Sequence, residues 1–167
     1  MPAISKSLTD AFNSQINKEI YSAYLYLSMS SHCDAANLPG AAGWLRIQWE
    51  EELGHATKLL DYVNERSGRV VLKAVDAPAA TFGTLLDIFR QVRAHEEEVT
   101  ASINKIYQQA ISESDYAAQT LLQWYVNEQV EEENSAAEII SMLELAGDSG
   151  SGLLMVDRHL AGRARGA

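Results

Sequence analysis

Apolar residues recur at three- and four-residue intervals along four long stretches of the chain, a spacing that gathers them on one face of a helix. From about Ser5 to Asp34 the stripe is Leu8, Phe12, Ile16, Ala23, Leu27 and Ser30, and it stops at the turn sequence Asn37-Leu38-Pro39-Gly40. From about Ala41 to Ser67 the repeat is Leu45, Leu59 and Tyr62, with Gly68 placed to end the helix in a left-handed conformation. A third stretch begins after Gly83 and carries Leu85, Phe89, Val92, Val99, Ile103, Ile106 and Ala110. A fourth follows the break Ser112-Glu113-Ser114-Asp115, carries Leu122, Tyr125, Ala136, Ile139 and Leu143, and ends near Gly147. A short fifth, about Gly152 to Ala161, has Leu153, Val156 and Leu160 on one seam.

Helices of roughly 25 to 30 residues are each about 40 Å long. The joints between first and second and between third and fourth are short, so those neighbours should run antiparallel. Between second and third lies Arg69 to Gly83, with an extended Val70-Val71-Leu72, enough chain to cross the bundle and set those two helices parallel. The expected fold is all-α: a four-helix bundle with one long crossover between the second and third helices and a short C-terminal fifth helix. A single domain over 1–167 is expected, with the bundle at about 5–146 and the terminal helix at about 152–161. The sequence has no internal repeat.

What interrupts the stripes is more informative than the stripes. Glu19 stands seven residues from both Phe12 and Tyr26; Glu52 stands seven from Leu45 and Leu59, with His55 one turn on. Glu96 shares a column with Phe89 and Ile103, Gln129 with Leu122 and Ala136, and Glu132 with Tyr125 and Ile139. Each long helix thus places a carboxylate at a core position near its middle. Buried acids without countercharge cost several kcal/mol each, against a total stability of about 5–15 kcal/mol. Either they stay protonated or they ligate cations, and this oxygen-rich set with one imidazole suits a divalent ion such as Fe(II) or Mn(II). One such Glu, or one ExxH, is ordinary. The coincidence of depth on four helices is not, whereas the Glu triplets at 50–52, 96–98 and 131–133 fan around their axes as solvated faces do.

Charge narrows the partners. Thirteen basic residues against twenty-three acidic give a net charge of −10, with no basic face for nucleic acid or an anionic membrane, so cations are the expected ligands. The single cysteine, Cys33, excludes a disulfide framework and any CxxC metal site. No apolar run approaches the ~18 residues of a membrane span, and the first residues do not resemble a secretion signal. A soluble, cytoplasmic protein is expected.

The segments INKEIYSAYLYLS, WLRIQWEEELGHATKLLDYV and LLQWYVNEQVEEE resemble prokaryotic, archaeal-type non-haem ferritins, and the resemblance extends over essentially the whole chain. It implies iron storage with ferroxidase activity, Fe(II) and dioxygen as substrates, and a homo-oligomeric hollow shell of 24 subunits. By position Glu19, Glu52 and His55 match ligands of a first iron. Glu52 would bridge to a second iron held by Glu96, with Gln129 and Glu132 nearby and Tyr26 beside the pair. Glu51, Glu128, Glu131 and Glu132 match a third iron site.

Haem is not expected. Gln129-Val130-Glu131-Glu132 stands where bacterioferritins carry a second ExxH, and Leu53 where they carry a haem-binding methionine. Gln119 and Leu122 match the acidic positions of the animal three-fold channel, Gly54 an acidic animal position beside the centre, and Val70 to Leu72 a two-fold contact. His32 and Cys33 are expected at the surface, and His95 and His159 in structural or exposed roles. The tail Arg163-Ala164-Arg165 is expected to be flexible and luminal. Two other readings stay open: a cage that binds iron without oxidising it fast, and a di-metal oxidase that is not a cage.

Overall fold

The computed structural model describes residues 3–164, which form five helices: α1 (Lys6–Ala35), α2 (Pro39–Glu65), α3 (Leu85–Ser112), α4 (Tyr116–Ala146) and α5 (Gly150–Ala161). Four of the five starts carry their own cap. Ser5, Asp115 and Ser149 accept from the backbone N–H three residues on, and Thr84 with Asp87 forms a reciprocal capping box. α2 opens instead with Pro39 in its first turn and no side-chain cap of its own. Its free N–H groups are served from α5, where Asp157 accepts from Gly40 N (3.1 Å) and Ala41 N (2.8 Å). A side chain at position 40 would collide with the Asp157 carbonyl, so glycine there permits α5 to dock.

The ends of α1, α2 and α3 share one device. Asn37, Ser67 and Ser114 take left-handed φ angles of 59°, 58° and 53°. The next N–H then reaches back across the last turn: Leu38 to Cys33 O, Gly68 to Val63 O, Asp115 to Ala110 O. The left-handed residue ending α2 is therefore Ser67 and not Gly68. Gly68 is required for a different reason, since a Cβ there would sit 2.8 Å from Val63 and 2.9 Å from Ile4.

Contacts between elements give their directions. Ser7 meets Gln109, Gln15 meets Ser102 and Tyr26 meets Glu96, so α1 and α3 are antiparallel. Gln48 meets Glu132 and the His55 carbonyl meets Tyr125, so α2 and α4 are antiparallel as well. The crossover runs along α1 in the same direction: Asn13 holds Arg69 O and Val71 N, Ser28 holds Ala79 O, and His32 contacts Gly83 O. The parallel pairing of α2 with α3 follows. No described helix is long and apolar enough to cross a membrane.

The apolar core is divided into two clusters. One holds Ile4, Leu8, Phe12, Ile16, Leu59, Val63, Val99, Ile103, Leu122 and Tyr125 with their neighbours; the other holds Tyr26, Met29, Leu45, Phe89, Val92, Ala136 and Ile139 with theirs. On every long helix the residues between the two clusters include the buried Glu19, Glu52, Glu96, Gln129 and Glu132.

Several expectations are corrected by burial. Leu27 and Tyr62 are only half-buried. Cys33 is fully buried and not at the surface, with burial pushing its thiol pKa up to about 12, whereas His32 is half-buried and packs edge-on against Phe82. Leu122 lies wholly inside the subunit and cannot line a channel, while Gln119 bonds the Ala110 carbonyl. Other positions are not corrected: His159 is exposed, one of the two roles expected for it, Val71 and Leu72 are exposed on the single subunit, and Leu53 is at the margin of exposure. In the tail, Arg163 is anchored to α2; Arg165 lies outside the described residues.

Candidate metal centre

The polar layer is built from four helix middles. Each of its acids lies at a spacing that puts it inward, between heptad neighbours of the two apolar clusters, and Glu19, Glu52, Glu96 and Glu132 are all buried. Ligand atoms of Glu19, Glu52 and His55 all lie within 4.8 Å of one another, and so do those of His55, Glu128 and Glu132. His55 joins the two groups: Nδ1 is 3.4 Å from Glu52 Oε2 and Nε2 is 3.8 Å from Glu128 Oε1. Tyr125 donates to the His55 carbonyl at 2.7 Å, and the rings of Trp124 and Tyr125 wall the imidazole edge-on.

Glu96 closes the layer from α3. The Tyr26 hydroxyl donates to Glu96 Oε1, and Gln129 Nε2 donates to Oε2 at 2.9 Å. Gln129 also approaches Thr100 Oγ1 at 3.3 Å, and Thr100 donates to Glu133. His95, next in sequence, lies behind Tyr26: its Nε2 is 2.7 Å from Ser22 Oγ, its ring stands edge-on to Tyr26, and burial lowers its pKa.

Gln15 and Gln48 have no counterpart among the expected site residues. Gln15 Nε2 donates to Glu19 Oε1 at 2.7 Å while Ser102 donates to its own Oε1 at 2.6 Å. Gln48 Nε2 donates to Glu132 Oε2 at 2.6 Å and to Glu52 Oε1 at 3.3 Å. Both glutamines precede a layer carboxylate by four residues, so a QxxxE spacing was the available signal.

The electrostatics are those of a site awaiting positive charge. Burial, then the charge of Glu52, raises Glu19 well above the usual carboxylate range. Glu52 is raised by burial and then by Glu96 and Glu132. Burial and Glu96 push Glu132 up to about 8, and burial with the same carboxylate raises Tyr26. Oε2 of Glu19 is buried and has no hydrogen-bond donor among the described residues. Its only carboxyl partner is Glu52, with which it can hydrogen-bond while one of the two keeps a proton, and a cation that replaced that proton would serve both oxygens, so the pair fits a cation site.

The remaining expected residues are less uniform. Glu128 is partly exposed beside His55, and Glu132 belongs to the buried layer. Glu51 is held by Arg163 Nη2 at 2.5 Å, and Glu131 is exposed and outside both ligand groups. A cleft of about 570 Å³ lined by Glu50, Glu51, Gly54, Lys58, Asp61 and Glu128 opens onto His55. Lys58 lies over the Trp124 ring at 3.9 Å.

A four-helix bundle whose helices each contribute a carboxylate to a mid-height layer, with ExxH on one of them, is the ferritin-like arrangement. Residues 9–146 match the family model for the ferritin-like domain, and the chain belongs to the ferritin family, whose function is iron storage. It is 41% identical over 157 residues to a bacterial non-heme ferritin of Campylobacter jejuni, covering 94% of each chain. Against the bacterial non-heme ferritin of Escherichia coli O157:H7 the identity is 36% over 158 residues, 95% of this chain and 96% of that one. The structure matches an open pore ferritin from Archaeoglobus fulgidus with a TM-score of 0.96 at 48% identity, covering 97% of this chain and 100% of the other.

Proposed function

We propose that this protein oxidises Fe(II) with dioxygen at the layer formed by Glu19, Glu52, His55, Glu96, Gln129 and Glu132, and stores the Fe(III) product inside a homo-oligomeric shell of 24 subunits. The observation that carries this is the buried Glu19 oxygen, with no partner but Glu52, within a cluster of buried acids on four helices. Two Fe(II) ions bring four positive charges, and Glu19, Glu52, Glu96 and Glu132 bring four negative ones once deprotonated. Glu52 stands between the Glu19–His55 side and the Glu96–Glu132 side, the place of a bridging ligand. Gln15, Gln48 and Gln129 donate to the carboxylate oxygens and so orient them before metal arrives.

Each Fe(II) gives one electron, so a pair reduces dioxygen by two electrons at one site. The oxidised ions carry more charge than the layer balances, which favours departure toward the acid-lined cleft beside His55. There Glu128 and Glu51, with Glu131 and Glu132, would take a third iron. No haem is needed for this chemistry, and the reaction we propose belongs to a cytoplasmic protein.

The test is stopped-flow absorbance after Fe(II) is mixed with the protein in air. Glu19→Ala and Glu96→Ala should each slow oxidation by at least about 10–100-fold, since loss of a mere hydrogen-bond partner of a metal ligand already costs that much. Parent-like rates in both variants would overturn the ferroxidase reading. Light scattering should give about 440 kDa for a shell of 24 chains; a stable monomer or dimer under all salt conditions would exclude the shell.

A further inference from the structure

α5 is fastened to α2 at two points, one in its C-terminal half and one just beyond its end. Asp157 holds the N-terminus of α2, and two residues past the last turn of α5 Arg163 lies along the same α2 stripe, reaching Trp44, Gln48 and Glu51. Its guanidinium stacks on the Trp44 ring at 4.2 Å and donates to Trp44 O (3.2 Å), Gln48 Oε1 (2.9 Å) and Glu51 Oε2 (2.5 Å). Two consequences follow from ordinary hydrogen-bond chemistry. An amide whose oxygen is held by a guanidinium must turn its NH2 the other way, and Gln48 Nε2 points at Glu132 and Glu52. A carboxylate held by a guanidinium is occupied by a cation already, and Glu51 is one edge of the cleft that opens onto His55.

We propose that Arg163 is a positioning residue and a displaceable counter-cation. It fixes the amide of Gln48 toward the buried carboxylates, and it occupies Glu51 until a divalent cation takes its place. This rests on the reading of Glu51 as a ligand of the third iron. Binding of a cation at Glu51 is thereby coupled to release of the chain after α5, whereas the paired site deeper in the layer touches Arg163 only through Gln48. Arginine suits the role because its planar fork serves Glu51, Gln48 and the Trp44 carbonyl at once, which a lysine ammonium on a flexible stem cannot match in geometry.

The experiment is calorimetric titration of the assembled, metal-free protein with Zn(II), which binds without redox chemistry, together with hydrogen exchange of the segment 157–164. The parent should show tight equivalents for the paired site and a weaker class. Arg163→Ala should tighten the weaker class about fivefold, the scale of a partly exposed ion pair, and Arg163→Lys should fall between. Zn(II) beyond the tight equivalents should speed exchange at Gly162 and Arg163 in the parent, a readout that needs no variant to fold. A weaker class that Glu51→Gln removes but Arg163→Ala leaves unchanged would overturn the competition while keeping Glu51 as a ligand. A weaker class untouched by Glu51→Gln would overturn the third-iron reading, and the proposal with it. Exchange that stays constant through the whole titration would also overturn it.

Discussion

Above and below mid-height the bundle core is apolar and close-packed, with Phe12, Leu59 and Leu122 on one side and Met29, Leu45 and Phe89 on the other. Between them lies a layer in which the buried side chains are mainly acids and amides, hydrogen-bonded to one another and short of a countercharge. The two regions are equally buried, yet they answer opposite demands. The apolar clusters lower the free energy of the folded chain through burial, whereas the layer raises it in the absence of metal. Such a layer is explained where something else makes use of it, and in the function proposed above that is a pair of cations.

The largest expected contrast comes from truncating one side chain in each region. Phe89→Ala should cost about 3–5 kcal/mol by urea unfolding of the metal-free protein. Glu19→Gln should cost nothing at pH 8, or should stabilise, because it removes an ionisable group that burial disfavours in its charged form. Equal losses in the two variants would make the layer a structural network instead of a ligand set.

The next contrast is in pH. With its pKa raised from 4.5 to about 8, Glu132 stays protonated in the folded chain over a range where the unfolded chain has lost that proton. Its contribution to stability therefore falls as pH rises from about 4.5 to about 8 and is level on either side. Urea midpoints at pH 5 and pH 8 in a chelator should show this fall, and Glu132→Gln should reduce it by up to one proton's worth. Metal binding has the opposite sign: it expels that proton, so affinity should strengthen over the same interval.

The smallest effect lies outside both regions. Asp157→Ala removes the acceptor at the N-terminus of α2 and should cost about 1–2 kcal/mol. Hydrogen exchange should show α5 opening while the layer stays protected.

The bundle was legible because heptad spacing fixes which face is inward. The same columns that carry Phe12, Leu45, Phe89 and Leu122 carry Glu19, Glu52, Glu96 and Gln129, so both the helices and the depth of the acids could be read together. Leu122 shows the rule at work: matching it to a channel position conflicted with its column, and the column prevailed. Cys33 was misplaced because a helix end looks exposed until the packing of Leu38, Leu85 and α5 around it is known. Gln15 and Gln48 were overlooked because amides on a helix carry no apolar signal and their role depends on the acid four residues later. Arg163 was beyond sequence reasoning, since its partners Gln48 and Glu51 are more than a hundred residues away in the chain and reach it only because Asp157 docks α5.

The most direct measurement is anomalous diffraction at the iron edge from crystals of the assembled protein soaked anaerobically in Fe(II). Two peaks about 3.5–4 Å apart are expected, one against Glu19, Glu52 and His55 and the other against Glu52, Glu96 and Glu132, with the Glu19 oxygen that lacks a donor now bound to metal. A bundle interior without iron density, the four acids unchanged in position, would contradict the account.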